Sequence, residues 1–167
     1  MKNLVLTGFM GTGKSTVGRV LAKKLGYRFI DVDSEIERIE GKSINEIFAA
    51  CGEDGFRDIE SREIERISKL SNSVIATGGG AVLRKENIDN LRKNGMVVLL
   101  KADVDTIVQR LSADTSRPLA NGKNKEELAE KLKSREAYYA NNDFAFDIDD
   151  LSPLNIADRI IDLYKKL

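Results

Sequence analysis

One run constrains this chain more than any other: Gly8-Phe9-Met10-Gly11-Thr12-Gly13-Lys14-Ser15, which fits the pattern G-x-x-x-x-G-K-[ST]. The apolar triplet Leu4-Val5-Leu6 precedes it, and residues 16–25 follow with Val17, Val20, Leu21 and Leu25 on one helical face. Strand, glycine turn and helix in that order make a cradle. Glycines let the backbone curl, so that successive N–H groups point at phosphate oxygens beside the positive end of the helix. Lys14 then reaches the β- and γ-phosphates, and the Ser15 hydroxyl ligates Mg²⁺. The alternative is a glycine-rich turn with a chance lysine, and the flanking strand and helix argue against it. By itself the loop specifies a nucleoside triphosphate and nothing finer, because switch GTPases, motor ATPases and small-molecule kinases all carry it.

The rest of the chain alternates short apolar runs with helical stretches. Phe29-Ile30 predicts a strand ending at Asp31 and Asp33, with helices over about 34–39 and 44–50 behind it. A longer helix beginning near Gly55 carries Ile59, Ile64, Ile67 and Leu70. Val74-Ile75-Ala76 predicts a strand broken by Gly78-Gly79-Gly80, and a helix over 87–93 leads to a strand over 96–100. Helices over 105–111 and 125–139, a strand at Phe144-Ala145-Phe146 and a closing helix over 156–167 complete the series. This alternation, with nearly continuous apolar strands, implies an α/β domain: a parallel sheet of about five strands covered on both faces. Residues 113–125 (ADTSRPLANGKNK) are the one polar, loop-like stretch long enough for a mobile lid. No repeat or boundary interrupts the chain, so a single domain over residues 1–167 is expected.

Charge and composition exclude several classes. Lys plus Arg equals Asp plus Glu, 27 of each, so neither a nucleic acid nor a membrane is expected as the main partner. With no histidine, His-based triads are excluded and a dedicated zinc site is disfavoured. The one cysteine, Cys51, has no internal disulfide partner and is expected to pack as a small apolar residue near a helix end. The apolar run near the start is too short for a signal peptide, and no stretch is long enough to span a membrane. A cytoplasmic monomer is the expectation.

The acceptor side has to come from elsewhere in the chain. Asp31 and Asp33 stand at the C-terminal end of a strand, where open α/β sheets bind ligands. One carboxylate could serve the Mg²⁺ shell and the other an acceptor hydroxyl, or the pair could cap the next helix. Arg57 is open to two readings, an exposed salt bridge or a ligand for an anionic substrate. Three consecutive glycines at 78–80 weaken a strand end unless the backbone must approach something closely. Arg110, Arg117 and Arg135 are each either solvated charges or site cations.

Taken together, GFMGTGKST, DVD, GEDGFRDIE, IATGGGAV, SRPL and KSREAYY resemble the shikimate kinase family, in order and over nearly the whole chain. The resemblance implies a nucleoside-monophosphate-kinase-like three-layer sandwich with a mobile lid, and transfer of the γ-phosphate of ATP to the 3-hydroxyl of shikimate. It implies that Gly11, Thr12, Gly13, Lys14, Ser15 and Thr16 bind ATP, with Arg110 against the adenine. Ser15 would ligate Mg²⁺ directly and Asp31 through water. Asp33 would hold the ring hydroxyls, Arg57 and Arg135 the carboxylate, and Gly79 and Gly80 would give close backbone contact. Lys14, Asp33 and Arg117 would form the catalytic set, Arg117 closing over the phosphates. Where relatives often carry a basic or amide residue near the adenine, this chain has Asp149-Asp150-Leu151-Ser152-Pro153. A gluconate-type kinase shares the phosphate loop but not the DVD, FRDIE and GGG set. A GTPase would need N-K-x-D, and Asn124-Lys125-Glu126-Glu127 fails at the last position.

Overall fold

The computed structural model describes residues 2–113 and 125–167. β1 (Asn3–Thr7) runs into the glycine loop and α1 (Lys14–Leu25), and β2 (Arg28–Asp31) runs directly into α2 (Val32–Glu40). α3 (Ile44–Ser68), β3 (Ser73–Ala76), a 3₁₀ turn at Ala81–Leu83 and α4 (Lys85–Lys93) follow. β4 (Gly95–Lys101), α5 (Val104–Ala113), α6 (Lys125–Tyr139), β5 (Phe144–Asp147) and α7 (Pro153–Tyr164) complete the chain.

All five strands are parallel, in the order β2-β3-β1-β4-β5. Side chains alternate across each strand, and the two halves of that alternation make two cores. Leu4 and Leu6 of β1, with Val74, Val98 and Leu100, pack on Val17 and Leu21 of α1 and on Ile156 and Ile160 of α7. Val5, Ile75, Val97 and Leu99 face the other way, onto Ile36, Ile64, Ile67, Ile88, Leu91 and Ile107 of α2 to α5. The result is a three-layer sandwich. β1 lies at the centre with all five residues buried, so the loop leaving it opens at the middle of the sheet's C-terminal edge.

The two helices expected over 44–50 and from near Gly55 both form; α3 joins them across a kink at Gly52, whose φ of 69° and ψ of −174° leave the helical region. Gly55 permits the bend: a Cβ there would sit 2.6 Å from Cβ of Cys51. Cys51 does not pack as a core residue. It is exposed, its thiol donating to the Ile47 carbonyl. No helix among the described residues is long and apolar enough to cross a membrane.

Candidate active site

The phosphate loop is set by backbone geometry. Gly8, Gly11 and Gly13 have φ of 145°, 78° and 85°, values that side chains bearing a Cβ rarely adopt. Thr12 is buried and turns its hydroxyl back onto the Phe9 carbonyl at 2.8 Å, closing the loop on itself. The Lys14 ammonium reaches over the loop and donates to the carbonyls of Gly8 (2.7 Å) and Phe9 (3.0 Å). Thr16 is exposed in the first turn of α1. Arg110 of α5 lies against the loop: a Cβ on Gly13 would be 2.8 Å from its Nη1.

Next to the loop, the Ser15 hydroxyl donates to Asp31 Oδ2 at 2.7 Å. The other Asp31 oxygen accepts from the Ser34 N–H at 3.1 Å, capping α2. Asp31 therefore caps α2, as its position allowed, and its second oxygen stands beside Ser15. Asp33, expected with it at the strand end, sits in the first turn of α2 and reaches the glycine triplet. A Cβ on Gly78 would lie 2.8 Å from Asp33 Oδ1.

Three helices, α2, α3 and α6, bring side chains to that triplet. From α3 comes Arg57, 11% exposed, bonded to Glu60 at 2.8 Å and within 3.6 Å of Glu53. Its guanidinium packs against Gly80, where a Cβ would collide with Nη2 at 2.1 Å. From α6 comes Arg135, 7% exposed, 5.8 Å from the Phe9 ring centroid and 3.6 Å from where Gly79 would carry a Cβ. Two arginines 78 positions apart thus lie over consecutive glycines, with Asp33 over the glycine before them. The absence of side chains at 78–80 creates the room that they fill.

Glu60 is the residue that sequence reasoning quoted without a role. It is fully buried, and among the described residues neither its Oε2 nor Nε of Arg57 has a hydrogen-bond partner. Burial raises its carboxyl above the usual range; the charge and hydrogen bond of Arg57 oppose this, Asp33 adds to it and Arg135 opposes it. The signal was available: Phe56, Glu60, Ile64 and Ile67 share one face of α3, so a carboxylate interrupts an apolar stripe three residues after an arginine. Tyr139, one turn after Arg135, also passed without a role. Its hydroxyl donates to the Gly79 carbonyl at 2.5 Å. Arg117 lies outside the described residues. In the segment after β5, Asp149 accepts from the Asp103 N–H at 3.3 Å, which ties that loop to the start of α5.

A loop leaving the central strand of a five-stranded parallel sheet, with its glycines curled beneath a lysine, places the chain in the P-loop class of α/β proteins. The finer identity comes from comparison with known proteins. The sequence profile of the shikimate kinase family matches residues 10–165. The chain is 48% identical to the shikimate kinase of Thermodesulfovibrio yellowstonii over 168 residues, covering 100% of this chain and 97% of that one. A solved structure of the Acinetobacter baumannii enzyme in complex with shikimate superposes with a TM-score of 0.92 at 36% identity, covering 99% of this chain and 94% of that one. The Aquifex aeolicus shikimate kinase gives 0.84 at 30% identity, covering 98% and 96%. The chain belongs to the shikimate kinase family.

Proposed function

We propose that this protein transfers the γ-phosphate of ATP to the 3-hydroxyl of shikimate, giving shikimate 3-phosphate and ADP. The observation that carries this reading is the pair Arg57 and Arg135 over Gly80 and Gly79, facing a phosphate loop across the same short shelf. Two forked guanidiniums suit a planar carboxylate, which each can grip bidentately. Asp33, beside them, suits the ring hydroxyls of a polyol. The Acinetobacter baumannii relative, solved in complex with shikimate, supports that choice of acid.

On the donor side, Lys14 supplies charge to the β- and γ-phosphates, and Arg110 borders the nucleotide. Gly11, Thr12, Gly13, Ser15 and Thr16 line the phosphate path. Among the described residues no group of three or more Cys, Asp or Glu side chains forms a cage that could hold a metal ion alone. The adjacent Ser15 hydroxyl and Asp31 carboxylate are hard oxygen donors, and a pair of them suits Mg²⁺ that arrives with nucleotide phosphates and keeps its waters. When bound there, Mg²⁺ supplies positive charge where it develops on the transferring group. Glu60 holds Arg57, Arg57 and Arg135 orient the acid, and Asp33 presents the hydroxyl. With a loose transition state, such positioning supplies most of what the reaction asks of a protein. Arg117 as a further phosphate cation, residues 113–125 as a lid, a single domain and a cytoplasmic monomer belong to the same reading.

The test is ADP release on adding shikimate, with gluconate in parallel. Shikimate-dependent turnover is expected. Turnover with gluconate and none with shikimate would leave only a P-loop kinase of another polyol acid.

A further inference from the structure

The glycine shelf has four carbonyls in a row, and each has a distinct partner. Gly78 accepts from the Ala81 N–H (3.2 Å) and Gly80 from the Leu83 N–H (3.1 Å), both within the 3₁₀ turn. Ala81 accepts from Asn87 Nδ2 of α4 at 2.9 Å. The turn does not reach the Gly79 carbonyl. Its partner is the hydroxyl of Tyr139, brought from 60 residues away on α6 and held at 2.5 Å.

Tyr139 is 5% exposed, with its ring in the core on the α2 to α6 side of the sheet. Burial raises its phenol above the usual range, with Arg135 and Arg57 pulling the other way, so it stays a neutral donor at physiological pH. The peptide bond is planar and trans, so fixing the Gly79 carbonyl also fixes the Gly80 N–H, which points the opposite way. Gly79 is also where the two halves of the site touch. A Cβ there would lie 3.3 Å from the Met10 N–H nitrogen, 3.8 Å from the Gly8 carbonyl and 3.6 Å from Arg135 Nη1.

We infer that Tyr139 is a positioning residue for the acceptor: its hydroxyl sets the Gly79–Gly80 peptide plane beneath the two arginines, so acceptor binding depends on it and nucleotide binding does not. This rests on the acceptor site proposed above. A purely structural role would instead reside in the ring, which fills the core whether or not the hydroxyl is present.

Tyr139→Phe removes the hydroxyl and keeps the ring, and Tyr139→Leu removes both. The full-length variants are compared with wild type in shikimate and ATP kinetics and in backbone amide exchange without ligand. Losing one buried hydrogen bond should raise the shikimate KM of the Phe variant roughly tenfold while its ATP KM stays within about twofold. Amides over 79–83 should exchange faster, with those of β1 and α1 unchanged. Three results would overturn the inference: an unchanged shikimate KM in the Phe variant; equal rises in both KM values; or impairment by Leu alone. If wild type itself does not turn over shikimate, the functional reading fails. The exchange arm then still decides whether the hydroxyl holds the shelf: unchanged exchange over 79–83 in the Phe variant ends the inference.

Discussion

The donor half of the cleft comes from one stretch of chain, whereas the acceptor half is assembled from four elements. Residues 8–16 make the phosphate loop almost alone, with their own backbone, and Asp31 and Arg110 add its edge. Across from it, Asp33 of α2, Arg57 and Glu60 of α3, the shelf after β3, and Arg135 and Tyr139 of α6 meet through side chains. The halves therefore fail differently. A backbone cradle keeps its shape when one side chain is lost, because its geometry resides in φ and ψ. A side-chain cluster in a buried pocket has shared partners, and removing one leaves another without its match.

The strongest test of that contrast is Lys14→Met. It should lower turnover about a hundredfold or more while leaving the thermal midpoint nearly unchanged, because charge on the transferring group is lost and the loop backbone is not. Differential scanning fluorimetry beside an ADP-release assay measures both. A variant keeping more than about a tenth of wild-type turnover would deny Lys14 even ~1.4 kcal/mol in the transition state.

Arg57→Ala should behave in the opposite way. It should weaken shikimate binding strongly, leave ATP binding without shikimate almost unchanged, and destabilise the fold by about 3–5 kcal/mol because Glu60 is left buried and unpaired. Adding Glu60→Gln should recover much of that stability and none of the shikimate affinity. Calorimetric titrations and urea unfolding of the single and double variants separate the two effects. Equal stability of the two variants would mean that Glu60 finds another partner, and the clustered picture of the acceptor half would lose its basis.

The smallest effect concerns pH. Because burial raises the Glu60 carboxyl, it protonates above the ordinary glutamate range and releases Arg57 there. The shikimate KM should rise on the acid side with an inflection above pH 4.5, absent in Glu60→Gln, while the ATP KM shows no matching step. Stability carries the reverse sign. A carboxyl raised in the folded state contributes most below its unfolded value, and that contribution fades as pH climbs through the folded one. A pH profile in which both KM values bend together would assign the inflection to a group outside the acceptor half.

What was legible in the sequence divides along the same line. The phosphate loop could be read at once, since a contiguous pattern carries its own geometry: positive φ at glycines, a strand before and a helix after. The five strands and their apolar faces were legible because burial on both sides of a parallel sheet leaves a continuous apolar run in each strand. Periodicity placed the helix Lys125–Tyr139 to the residue. It also placed the two helical halves of α3, because a glycine within a helical pattern reads as a break, and Gly52 leaves the helical region there.

The acceptor half was visible as a set of motifs and invisible as a set of contacts. Nothing local to Arg57 says that Gly80 will lie beneath it, or that Glu60 will be wholly enclosed. Nothing local to Tyr139 says that its hydroxyl will meet a carbonyl 60 residues earlier. By itself, the sequence determined the layer architecture, the strand-loop-helix unit that cradles phosphate, and the family. The tertiary structure decided which charges share a pocket, which are desolvated and which backbone they brace. Those depend on which distant elements adjoin across the sheet edge, and no spacing along the chain encodes a distance through space.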